Sequence, residues 1–161
     1  MKVTVIAVGK PHRLLATAIA EYEERASRYW SLDVVEVRGV KGGRGQTAVD
    51  VRRMEANRLA QRVPTGSEIV LLTRQGEHWS SENLAAYLGD LAVRGKPGVA
   101  FLIGGATGVD ESELAGVNRR MALSSMTLPH ELARLVLAEQ LYRAGTIVRG
   151  EPYHKGAPSG P

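Results

Sequence analysis

Val99-Ala-Phe-Leu-Ile-Gly-Gly105 is the stretch on which the fold turns. Five apolar residues run without a polar break and stop at paired glycines. A strand with one wet face alternates apolar and polar residues; a strand covered on both faces reads as one continuous apolar run, the habit of parallel sheets. Ile69-Val-Leu-Leu72 has the same character. Two such strands need helices on both sides, so the chain reads as α/β.

The flanking sequence extends this pattern. Lys2-Val-Thr-Val-Ile-Ala-Val8 is rich in β-branched residues and stops at Gly9, a first strand. Leu15, Ile19 and Tyr22 repeat at helical spacing and predict a helix from about Arg13 to Tyr29, followed by a strand over Asp33 to Val37. The glycine-rich basic loop Gly39 to Gly45 leads to Thr47, which with Asp50 resembles a capping box ahead of a helix marked by Val51, Met54 and Leu59. Pro64-Thr-Gly66 is a turn. Ser81 reads as the cap of a helix carrying Leu84, Leu88 and Leu91, closed by Gly95. Asp110 and Glu113 form another cap pair and predict a further helix. Met121-Ala-Leu123 is a short fifth strand, and Glu131 to about Ile147 is the last helix. Strict β-α alternation predicts a single three-layer α/β/α domain over residues 1–155, with a mostly parallel sheet and a disordered tail over 156–161.

At 161 residues the chain suits one domain, and a hydrophobic content of 43% excludes a disordered one. It has no cysteine, which excludes disulfides, thiolate metal sites and cysteine nucleophiles. The four histidines, His12, His78, His130 and His154, show no metal-ligand spacing, so no metal is expected. No membrane-length apolar run or signal-peptide pattern is present, and the expected location is the cytoplasm, with no membrane partner. Net charge is +4, with +5 on residues 1–63 and −1 on the remainder. A basic half suggests a polyanion such as RNA. The turn after the first strand is Gly9-Lys10-Pro11, without the glycine fingerprint of dinucleotide binding, and neither a phosphate loop nor a G-x-S-x-G elbow occurs.

What remains is a constellation near the carboxyl ends of strands, where open α/β sheets bind ligands. Ile103-Gly-Gly-Ala-Thr-Gly108 permits close backbone approach, or simply a tight turn. Leu123-Ser-Ser-Met-Thr-Leu-Pro-His130 brings hydroxyls, a stiff path into a helix and an imidazole that either meets a ligand or caps that helix. Arg134 and Arg143 lie nine residues apart, on nearly opposite helix faces, and are not expected to act as one clamp within a monomer. A solvated charge is the plain reading of each. Arg143 departs from it by lying in the apolar run Leu141-Tyr-Arg-Ala144, and Glu151-Pro-Tyr-His-Lys155 follows as a tail able to serve as a lid or a partner contact.

These segments, together with Val3 to Lys10, Ala20 to Arg25, Ala138 to Ala144 and Arg149 to Lys155, carry a resemblance over almost the whole chain. The chain resembles the ribosomal RNA large subunit methyltransferase H family of the SPOUT superfamily. The loop Lys41 to Gly45 and the tail after Lys155 depart from the family pattern. The resemblance implies a deep trefoil knot in the C-terminal part, a homodimer with cofactor sites near its interface, and S-adenosylmethionine as cofactor. It implies methylation of N3 of a pseudouridine in helix 69 of 23S rRNA, in assembled ribosomes. Carried over by residue, the cofactor contacts fall on Leu72, Gly105, Ser124, Ser125, Met126, Thr127, Leu128 and Pro129. The chemistry then asks for donors and a base. Arg143, Tyr153 and His154 are the expected catalytic set, with His130 and Lys155 as substrate contacts. His154 either accepts the proton or positions the ring. Two other readings stay open: a non-enzymatic ribosome-binding factor with the same fold, and a small-molecule enzyme binding a nucleotide.

Overall fold

The sheet has the order β2-β1-β4-β3-β5, and every neighbouring pair is parallel. The strands are β1 (Lys2–Val8), β2 (Ser31–Val37), β3 (Glu68–His78), β4 (Gly98–Ile103) and β5 (Val117–Ala122). The structure, a computed structural model, describes residues 1–153. β4 lies at the centre, and all six of its residues are buried, as its unbroken apolar run requires.

The pleat divides the core in two. Val3, Val5, Val99, Phe101 and Ile103 point to one face, where they meet Leu84, Leu88, Leu137 and Leu141. That face is covered by α1 (Arg13–Ser27), α3 (Ser81–Val93) and α4 (His130–Val148). Ile6, Val8, Ala100 and Leu102 point the other way, toward Ala56 and Leu59 of α2 (Ala48–Ala60) and toward Leu114. The three layers are those the alternation predicts, and each fully buried Leu or Phe side chain contributes about 1.5–3 kcal/mol.

Four local readings change, the first being β5, which starts at Val117 and ends before Leu123. No α-helix follows β4; Glu111–Glu113 is a single 3-10 turn, capped by Asp110, which accepts from the Ser112 amide at 3.0 Å. The cap is real, but only seven residues separate Gly108 from Gly116, too few for a stable helix. β3 runs well beyond Leu72. Met121 of β5 is in register with both Leu72 and Glu77, so Thr73–Gly76 leave the ladder as a bulge. The cap of α3 is Ser80, not Ser81. Ser80 and Asn83 satisfy each other's amides at 3.0 and 3.1 Å, while the Ser81 hydroxyl lies 2.6 Å from Gln140 Oε1 on α4. The Thr47–Asp50 capping box is present, and its hydrogen bonds hold the Asp50 carboxyl below the usual range.

Candidate active site

Because all five strands are parallel, their carboxyl ends share one edge of the sheet, and a cleft of about 1080 Å³ opens there. Three segments wall it. The first is the end of the β3 run and its bulge, Leu72–Gln75. The second is the turn after β4, Ile103–Val109. The third is Leu123 with the loop into α4.

The turn after β4 depends on glycine in two ways. Gly108 sits at φ +87°, and its amide donates to the Gly105 carbonyl at 3.0 Å. A Cβ on Gly105 would stand 2.8 Å from Glu55 Oε1 and 3.2 Å from Val8 Cγ1, so a larger residue here must displace the Glu55 carboxylate. Glu55 is itself buried, and its other oxygen accepts from the Val40 amide at 3.0 Å. One carboxylate thus bonds the loop after β2 and lies against the turn after β4.

The loop into α4 is braced from within and across the cleft. Ser124 Oγ accepts from the Met126 amide at 2.9 Å. Arg74 of the β3 bulge donates to Thr127 Oγ1 at 2.6 Å, joining two walls. α4 starts at His130 behind Pro129, and no side chain caps its first amides. That first turn lines the cleft and carries the positive end of the helix dipole.

Leu72, Gly105, Ser124, Met126, Thr127, Leu128, Pro129 and His130 all line this one cleft, so residues far apart in sequence are brought together. Ser125, exposed in the same loop, is absent from the wall. Arg52, Arg74 and Glu111 line the cleft without having been anticipated. The signal for Arg74 is the abrupt change from Ile69-Val-Leu-Leu72 to Thr-Arg-Gln-Gly76, too polar for a central strand and too short for a loop.

Arg143 and Tyr153 sit elsewhere. Arg143 lies thirteen residues along α4 from His130, about 20 Å at 1.5 Å per residue. Glu139 organises this region. It accepts from Arg143 Nε and Nη2 at 3.0 and 2.6 Å, and from the Tyr153 hydroxyl at 3.1 Å. The Arg143 guanidinium lies 4.9 Å from the centre of the Tyr153 ring, which packs 4.5 Å from Tyr142. Tyr29 donates to Glu151, so the segment after α4 folds back on α1 and α4 through Tyr153 instead of extending as a free tail. Burial, then the neighbouring Glu139 charge, pushes the Tyr153 phenol up to about 12. His154 and Lys155 lie outside the described residues.

Arg134 reverses its sequence reading as a solvated charge. It is 6% exposed, bonds Glu23 of α1 at 2.8 Å and lies 3.3 Å from Glu36 of β2. A buried guanidinium needs such partners, and removing one of them would leave an uncompensated charge. Arg134 pins α4 to α1 and β2.

Comparisons with known proteins agree with this architecture. Residues 1–154 match the family described as "Predicted SPOUT methyltransferase". A ribosomal RNA large subunit methyltransferase H of Gemmatimonas aurantiaca is 47% identical over 156 residues, covering 96% of this chain and 100% of that protein. Proteins of the same name from Acetivibrio thermocellus and Clostridium beijerinckii are 40% and 36% identical over 159 residues, with the same coverage.

Proposed function

The chain belongs to the SPOUT methyltransferase family, and from that premise we propose that it methylates N3 of a pseudouridine in helix 69 of 23S rRNA, on assembled ribosomes in the cytoplasm. S-adenosylmethionine is the proposed donor and a homodimer the proposed working form. The trefoil knot of the C-terminal part belongs to the same reading. The observation that carries it is the convergence of the Gly104–Gly108 turn and the Leu123–His130 segment on one cleft.

The cleft suits S-adenosylmethionine. Its volume is at the upper end of small-molecule sites, and it mixes apolar walls with a few polar groups. Leu72, Leu123 and Leu128 offer apolar surface to an adenine ring. Gly104 and Gly105 leave backbone open to close approach, and Ser124 and Thr127 add hydroxyls. The bound cofactor supplies a methyl group on a sulfonium.

The chain's own residues must then orient the nucleotide and remove the N3 proton, which is present at neutral pH. Arg143 is assigned to the negative charge that develops on the ring. Its bond to Glu139 favours the charged guanidinium. Tyr153 keeps its phenolic proton at neutral pH, so its role is to donate and to stack, not to act as base. His154 takes the proton or positions the ring, and His130 and Lys155 contact the substrate. About 20 Å of α4 separates Arg143 from His130 in one chain. A second copy that lays the carboxyl end of its α4 at this cleft would unite the two groups, which is the reason for assigning a homodimer.

Calorimetry with S-adenosylmethionine tests the cofactor assignment, and absence of binding would favour a non-enzymatic ribosome-binding factor. Mass spectrometry of rRNA from cells lacking the protein tests the substrate. A methylated pseudouridine persisting at that site would refute the assignment.

A further inference from the structure

The positive charge of this molecule is concentrated at the β1–β2 end of the edge that bears the cleft, while the turn after β4 carries Asp110, Glu111 and Glu113. Residues 9–13 and 38–53 form the loops after β1 and β2 with the starts of α1 and α2. They hold seven cations and one carboxylate, a net of +6; the whole chain carries +4, so all remaining residues together carry −2. The single carboxylate, Asp50, is occupied by the α2 cap and by Arg53 at 3.3 Å.

Ion pairing follows the same trend, with Arg58, Arg62, Arg74 and Arg149 the cations outside these two segments that, among the described residues, also have no carboxylate within 4.0 Å. Lys2, Arg25, Arg94, Lys96, Arg119 and Arg120 each lie within 4.0 Å of a carboxylate. Among the described residues no carboxylate comes that close to Lys10, Arg13, Arg38, Lys41, Arg44 or Arg52. All but Arg52, which is half-buried, are exposed.

The patch is continuous with the cleft. The Gly9 amide donates to the Val37 carbonyl at 2.7 Å, joining the ends of β1 and β2. Arg58 holds the Arg38 carbonyl at 2.7 Å, and Glu55, which accepts from the Val40 amide, lies against the turn at Gly105. Arg52 lines the cleft itself. From β2 to β4 is two strand spacings, about 10 Å. The rim is therefore a short basic track that ends at the cleft mouth.

We propose that this track, from β2 to β4 along the carboxyl edge, grips the phosphate backbone of rRNA and leads the target nucleotide into the cleft. The inference rests on the rRNA methyltransferase reading above. Unpaired, exposed arginines and lysines suit phosphates and carry no sequence information, so the track supplies affinity and direction while the cleft and its partner residues select the base.

The test compares two triple variants in binding to purified ribosomes over a range of salt. One removes Arg38→Gln, Lys41→Gln and Arg44→Gln from the track. The other removes Arg28→Gln, Arg62→Gln and Arg94→Gln, which follow α1, α2 and α3 at the opposite edge. Each lost phosphate contact lowers the salt slope by about 0.7–0.9. The track triple should weaken binding by on the order of tenfold and flatten the slope by about two. It should raise KM for ribosomes more than it lowers kcat and leave S-adenosylmethionine affinity unchanged, and the control triple should resemble wild type. Equal behaviour of the two triples overturns the track while leaving the methyltransferase reading intact. A wild-type protein that neither binds nor methylates ribosomes overturns both.

Discussion

The two ends of α4 are built on opposite terms. At its amino end the helix starts behind Pro129 with no side-chain cap, and three loops leave hydroxyls, backbone and the first turn of the helix around an open cleft. At its carboxyl end the polar groups are closed on one another: Glu139 takes Arg143 and Tyr153, Glu151 takes Tyr29, and Trp30 donates to the Leu141 carbonyl at 2.8 Å. The open end is shaped to receive a ligand. The closed end is shaped to hold a charged guanidinium and an aromatic ring in fixed positions, which is what a catalytic surface presented to another molecule requires. A single helix cannot bring its own two ends together, so the difference argues for a site completed by a second chain.

The sharpest way to break that argument is to disable the two ends separately. Arg143→Ala should leave S-adenosylmethionine affinity within a few-fold and lower methyl transfer by about 10²–10³-fold, the usual loss for one donor at a developing charge. Leu128→Arg, which fills the cleft from a surface loop, should abolish cofactor binding. Mixing and reassembling the two inactive variants should restore activity well above the sum of their residual rates, because a mixed dimer contains one intact cleft facing one intact Arg143. No recovery after subunit exchange places both groups in one chain and removes the reason given for a dimer.

A smaller effect tests the cleft end alone. Gly105→Val would affect the cofactor alone if its side chain entered the open cleft. In the structure the new atoms press instead on Glu55 and Val8. The variant should therefore lose about 1–3 kcal/mol of stability as well as cofactor affinity, the cost of overpacking a filled site. Glu55→Ala in the same chain should return part of the stability in a urea titration. An unshifted midpoint for Gly105→Val would show that the turn yields freely.

What could be read from sequence divides along the same line. The strands, the three layers and the cleft were legible because they rest on local signals: unbroken apolar runs, paired glycines, a proline before a helix. The cleft's residues come from three loops, yet parallel strands place every such loop at one edge, so order alone assembled them. The groups that depend on partners far along the chain were not legible. Arg134 finds Glu23 across 111 residues, and nothing in its neighbourhood distinguishes it from a solvated arginine. Arg74 is presented by a bulge whose polar composition is visible in the sequence but whose place at the cleft is set by the register of β3 against β5. The cap signal at Asp110 marks a real turn, but its side-chain partner is Ser112 and not Glu113, and a cap does not supply the length of a helix. The ties of Glu151 and Tyr153 to Tyr29 and Glu139 are tertiary, so the composition of the segment suggests a lid or a partner contact without showing where it is anchored.

The smallest expected effect concerns Tyr153 and decides whether the closed end is truly closed. The folded chain holds this phenol at about 12 against an ordinary value of 10.0, through burial and then the Glu139 charge. A raised phenol pKa means that folding favours the protonated form. That contribution to stability is complete below pH 10 and is lost as pH rises through 12. Tyr87, pushed to about 12 chiefly by burial, behaves alike, and the hydrogen bond to Glu151 raises Tyr29 as well, so an alkaline absorbance titration should show these three tyrosines ionising late. Tyr153→Phe should remove one of them and cost about 0.5–1.5 kcal/mol for the lost hydrogen bond. It should leave the shape of the pH–rate profile unchanged below pH 9, because a phenol that stays protonated contributes no limb there. If the variant loses an alkaline limb in that range, Tyr153 ionises during turnover, and the ring that the carboxyl end of α4 holds in place is a base and not a stacking surface.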